Sequence, residues 1–124
     1  MAVLGPDADV TERILGCAFR VHAVLGCGFL EKVYENALLH ELRKAGLAAE
    51  PQRPIQVRYD GVLVGDYFAS ILVEGRVILE LKAAKGIEDI HVAQTLNHLK
   101  ASGLKTGLLL NFGALSLEVR RLLF

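Results

Sequence analysis

The sequence predicts an α/β (α+β) fold, a small mixed β-sheet flanked by helices in the order ααβββαββ. Three observations carry that prediction. Apolar residues recur at helical spacing as far as Ala45, the period then changes to two around Asp60-Gly61, and a later helical stretch separates two strongly apolar runs of strand length.

The first helix is expected to start at Pro6 with Asp7 or Asp9, both good start signals. Its apolar stripe is Val10, Ile14, Cys17, Ala18, Val21, Val24 and Leu25, and Gly26-Cys27-Gly28 stops it. A second helix runs from about Phe29 to Ala45 on Leu30, Val33, Tyr34, Ala37, Leu38 and Leu42, with Gly46 just past its end. Ile55, Val57 and Tyr59 then alternate with Gln56 and Arg58, and Asp60-Gly61 is a hairpin turn. A strand follows from Val62 to Val73, with Gly65 as a bulge candidate. Glu74-Gly75-Arg76 turns the chain into Val77–Lys82. A third helix spans about Glu88 to Ser102, closed by Gly103, with Val92, Ala93, Leu96 and Leu99 as its apolar face. Leu104–Asn111 reads as a strand buried on both faces, and Leu117, Val119 and Leu122–Phe124 as a last one.

At 124 residues the chain is expected to be a single domain, 1–124, with room for a sizeable core. Hydrophobic residues make up 52%, and 14 basic residues balance 14 acidic ones. That composition is globular and sets up no global field to draw in nucleic acid, so any such role needs a local basic patch. Cys17 and Cys27 form no CxxC pair, which excludes zinc and thioredoxin-like readings. With no basic leader at the N-terminus, they are expected to be reduced thiols of a cytoplasmic protein. No apolar run approaches the ~20 residues that span a membrane.

The chemistry concentrates in Ala69–Lys82. Glu80 and Lys82 are two apart on an apolar strand and share a face, while Leu79 and Leu81 point the other way. Buried charge is costly unless it is paired or bound to metal. One reading is a plain ion pair on the strand face. The other is phosphodiester hydrolysis, in which Mg²⁺ or Mn²⁺ on carboxylate oxygens acidifies water and Lys82 orients it. That chemistry wants a second carboxylate opposite Glu80, and the residue there is Ser70. A three-residue loop at Glu74-Gly75-Arg76 pairs Val73 with Val77 and Ser70 with Glu80; a two-residue loop would not.

Gly28-Phe29-Leu30-Glu31-Lys32-Val33-Tyr34 fits G-x-x-E-x-x-Y, Glu80-Leu81-Lys82 fits E-x-K, and Ile90–Leu99 carries an Ala-Gln followed by Asn-His-Leu. In order and spacing these motifs resemble the GxxExxY family of the PD-(D/E)xK nuclease-like superfamily, from about Val10 to Asn111. The resemblance implies a restriction-endonuclease-like core, a divalent-metal site on Glu80 with Glu31 at its edge, and nucleic acid as partner. It also implies an aspartate at position 70, an arginine at 68 and a tyrosine at 98, where this chain has Ser70, Phe68 and His98. Asp66 lies four residues back, roughly 13 Å at ~3.3 Å per residue, and is not expected to step in easily.

Glu31 also reads as a carboxylate favoured by a helix N-terminus, and Tyr34 as a core aromatic with a bonded hydroxyl. His91, Gln94 and His98 share one helix side, either a solvated face or, for Gln94 and His98, a wall of the cleft near Lys82. His22 and His40 read as structural or exposed. The candidate site is therefore Glu80, Lys82, Glu31, Gln94 and Ser70, with Glu80 and Glu31 as metal ligands. The expected function is a nuclease-like domain whose incomplete metal site leaves hydrolysis weak or absent and which acts in binding. The alternative is a divalent-metal-dependent nuclease cleaving DNA or RNA. Neutral net charge and apolar Leu122-Leu123-Phe124 point to a homodimer with C2 symmetry.

Overall fold

The computed structural model describes residues 5–124. The expectation about the N-terminus rests partly on residues 1–4, which lie outside the described residues. The elements are α1 (Ala8–Leu25), α2 (Glu31–Lys44), β1 (Ala49–Tyr59), β2 (Val62–Val73), β3 (Val77–Lys82), α3 (Asp89–Ser102), β4 (Thr106–Asn111) and β5 (Glu118–Leu123). This is the ααβββαββ order read from the sequence. The strands form one five-stranded sheet in chain order, antiparallel except between β3 and β4. The parallel pair follows from α3, since only a crossover returns the chain in the same direction.

Helices cover both faces, unequally. The α1–α2 side holds the larger core, in which Ile14, Val21, Tyr34, Leu38 and Leu42 pack against Ile71, Leu79, Leu81, Leu108 and Leu110. On the α3 side, among the described residues, a smaller buried apolar cluster of Ile55, Ala69, Ile78 and Leu99 is flanked by partly buried Leu72, Leu96 and Leu122. Each fully buried Leu or Ile contributes about 1.5–3 kcal/mol, so the first face dominates stability and the second has room for polar groups.

Two helix stripes differ from the sequence reading. Val24 and Leu30 are largely exposed, at 78% and 81%, and Val33 is exposed too, while Thr11, His22, Glu35 and Leu39 are buried. Leu30 lies outside the helix, as an extended residue before Glu31. Tyr34 is buried as expected; its hydroxyl donates to the Gly26 carbonyl (2.6 Å) and accepts the Phe29 N–H (3.2 Å), clamping the α1–α2 loop. His22 is structural, its Nε2 lying 2.9 Å from the Ala114 carbonyl, and His40 is exposed. On α3 the inward residues are Thr95 and Leu99, not Val92 and Ala93. Gly107 explains this, because a Cβ there would lie 3.2 Å from both the Thr95 and the Leu99 side chains, so the missing side chain lets α3 settle onto β4.

The turns match their residues. Asp60 (φ 52°) and Gly61 (φ 77°) both take the left-handed conformation of a two-residue hairpin turn. Val57 pairs with Gly65 but Arg58 with Leu63, so the bulged residue is Val64, next to Gly65. β1 is an outer strand carrying Pro51 and Pro54, with Gln52 between them at φ 51°. Glu74-Gly75-Arg76 is the three-residue loop, with Val73 paired to Val77. It is fixed to the start of β1 by Glu74 N–H to the Ala48 carbonyl (2.8 Å) and Ala48 N–H to the Glu74 carboxylate (2.7 Å).

Asp7 precedes α1 as expected, but its side chain does not cap the helix. It bonds Arg76 of the β2–β3 loop (2.8 Å), and Asp9 joins from the other side (3.1 Å). The Arg76 hydrogen bond holds the Asp9 carboxyl below its usual 3.8. A lowered carboxylate contributes stability above its unfolded value and loses it as pH falls through the folded one. Arg76→Ala should therefore lower Tm at neutral pH and low salt. The gap to the wild type should narrow as pH falls below about 4 and as salt rises, measured by circular dichroism melts across pH.

Candidate functional site at the parting of two strands

β2 and β3 are paired only as far as Ile71 and Leu79. Beyond that point β2 continues with β1, and β3 continues with β4 as far as Lys82–Asn111. Where they part, the Leu81 N–H donates to the Ser70 hydroxyl (3.1 Å). Ser70 and Glu80 face the same opening, as the register requires. The opening is a cleft of about 420 Å³, and Glu31, Ser70, Glu80, Lys82 and Gln94 all line it. Four elements thus bring together the five residues singled out in the sequence.

Glu80 is 7% exposed. Its carboxylate does not pair with Lys82 but lies 2.5 Å from Nδ1 of His98, which corrects the simple strand-face ion pair. The reason is direction: Glu80 faces α3, where His98 stands one residue before the inward Leu99. The His98 ring packs against Tyr67 (centroids 5.4 Å apart), and Tyr67 in turn leans over Gly65, where a Cβ would meet its ring at 3.1 Å. Lys82 is half-buried and Gln94 exposed at the cleft wall. His91 is not part of the cleft; its Nδ1 accepts the Glu88 N–H (3.0 Å) in a capping box at the start of α3.

Glu31 opens α2, so it sits at the positive end of the helix dipole and at the cleft edge at once. The residue is exposed overall, and partial loss of solvent raises its carboxyl from its ordinary value, opposed by Lys82 and reinforced by Glu35 and Glu80. Sequence reasoning missed Glu35, which is buried one turn on and bonds Lys32 and Gln52 Nε2 (2.8 Å). The i, i+4 spacing from Glu31 was the available signal. It also missed Gln52, Tyr67 and Asn97 as cleft walls.

The loop after Lys82 is held by Asn111, which is fully buried. Its Oδ1 accepts N–H groups from Ala84 (2.9 Å) and Gly113 (3.1 Å), and its Nδ2 donates to the Ala84 carbonyl (3.0 Å) and Glu118 (2.7 Å). Gly113 packs directly on that loop.

The chain matches the PD-(D/E)XK nuclease superfamily over residues 8–122 and belongs to it. Among solved structures it is similar to the crystal structure of SSO0001, with a TM-score of 0.54 at 13% identity. The similarity covers 94% of this chain and 59% of that one, and it speaks for the shared fold. No curated protein matches the chain. Among the described residues, no helix is long and apolar enough to cross a membrane.

A Cβ at Gly113 would lie 2.3 Å from the Ala84 carbonyl oxygen, and backbone cannot swing aside as a side chain can. Gly113→Ala should therefore destabilise the protein by about 1–3 kcal/mol in urea unfolding and loosen the loop that follows Lys82.

Proposed function

We propose that this domain keeps a nuclease-like cleft but binds nucleic-acid phosphate without hydrolysing it. The observation that carries the reading is Ser70. It stands opposite Glu80, where metal-dependent chemistry wants a second carboxylate, and its hydroxyl is already engaged by the Leu81 N–H. The Mg²⁺ or Mn²⁺ implied by the superfamily takes carboxylate and water oxygens. The donors here do not fit it well: a neutral hydroxyl in use, a Glu80 oxygen in use by His98, and the Lys82 ammonium in the same cleft. What the cleft does offer phosphate oxygens is the Lys82 cation with the Gln94 and Asn97 amides, set among the Glu31, Asp66 and Glu80 carboxylates that also line it. Within the superfamily, the G-x-x-E-x-x-Y and E-x-K motifs support the narrower GxxExxY family.

One observation favours the metal-dependent nuclease reading. The Glu80 charge helps to raise the Glu31 carboxyl, a like-charge repulsion that a dication between the two would relieve. The exposed Leu123 and Phe124 support a homodimer through this end of the chain. A monomer by light scattering at tens of micromolar removes that part of the reading.

Labelled DNA and RNA oligonucleotides, incubated with the protein in Mg²⁺ or Mn²⁺, separate the two readings. The expected result is an anisotropy increase with no cleavage product. Lys82→Ala should weaken binding several-fold and lower the slope of log K against log salt by about 1. Absence of binding to either nucleic acid overturns the proposal. Cleavage that needs metal and is lost in Glu80→Ala replaces it with the nuclease.

A further inference from the structure

We infer that His98 is an internal lock on Glu80, so that an acid restored at position 70 does not by itself create a divalent-metal site. The inference rests on the reading of the Ser70–Glu80 corner given above, but not on nucleic-acid binding.

The Glu80–His98 contact is short and sheltered: 2.5 Å, with the two side chains 10% and 12% exposed. A cation that takes both Glu80 oxygens must break a charge-assisted bond, since His98 holds Oε1 and leaves Oε2 to the cleft. The ring is also hard to move. His98 adjoins Leu99, which packs with Thr95 against Gly107 of β4, and the Tyr67 ring lies against it, tilted by 42°. The Glu80 oxygen is thus held by a side chain that projects from α3 and lies against Tyr67 of β2.

Position 70 carries a second constraint. The Leu81 N–H lies 3.1 Å from Ser70 Oγ, so a carboxylate placed there inherits that donor for one of its oxygens. Ser70→Asp then offers the metal one oxygen not shared with Leu81, while Glu80 is limited to Oε2 as long as His98 holds Oε1. Mg²⁺ and Mn²⁺ are best suited by carboxylate, carbonyl and water oxygens. Opening the site therefore takes two changes, and their effects should be strongly non-additive.

The test is a double-mutant cycle on Mn²⁺ binding, read by calorimetry and by the Mn²⁺-induced shift in Tm, with no nucleic acid present. The four proteins are the wild type, Ser70→Asp, His98→Phe and the double variant. Phenylalanine keeps a ring against Tyr67 and removes the nitrogen that holds Glu80. His98→Leu, run in parallel, guards against a misfit of the larger ring. The double variant should bind Mn²⁺ at least about tenfold more tightly than Ser70→Asp alone, and Glu80→Gln added to it should abolish the gain. Ser70→Asp binding as tightly as the double variant overturns the lock. So does wild-type binding of Mn²⁺ or Zn²⁺ that His98→Phe weakens, because His98 would then be a ligand. Should nucleic-acid binding fail while this cycle succeeds, the lock stands and the binding reading alone falls.

Discussion

The parting of β2 from β3 is the constraint on which the rest of this molecule depends. A sheet that stayed paired would hold Ser70 and Glu80 against each other and leave no cleft. Here the ladder stops at Ile71–Leu79 and the serine hydroxyl takes the Leu81 N–H, so the split exposes no unmet donor at that point. β2 then stays with β1, β3 stays with β4, and the gap is walled by the start of α2 and the middle of α3.

The unequal faces of the sheet make that gap affordable. The α1–α2 side buries most of the apolar side chains, so cohesion does not depend on the α3 side being dry. The polar side can then hold a buried carboxylate, a histidine and a half-buried lysine close together, provided each has a partner or some access to water. Asn111 belongs to the same economy, since one amide satisfies the loop that would otherwise leave Lys82 on a loose end.

How far the sequence told this in advance varied with the kind of signal. The Glu74-Gly75-Arg76 turn carries its own geometry, so the Val73–Val77 register was readable, and the shared face of Ser70 and Glu80 followed from it. The convergence of Glu31, Lys82 and Gln94 was readable because three motifs kept their order. The partner of Glu80 was not. It depends on how α3 is rotated, and that rotation answers to Gly107 on the strand that follows, which leaves no trace in the helix's own periodicity. The roles of Asp7 and Glu35 were hidden for the same reason: each bonds a residue brought near only by the finished fold.

The outer strand β1 has a consequence beyond the cleft. Pro51 and Pro54 lack the N–H that an incoming strand would need, and the left-handed backbone of Gln52 bends the line between them. That edge is poorly suited to templating, so the sheet resists growth into stacked or fibrillar assemblies on this side. Any lengthening of the sheet would have to begin at β5, where Glu118, Arg120 and Arg121 stud the strand with charge. The molecule's ends are thus unequal, one blocked by covalent geometry and the other guarded only by electrostatics, and salt weakens the second guard alone.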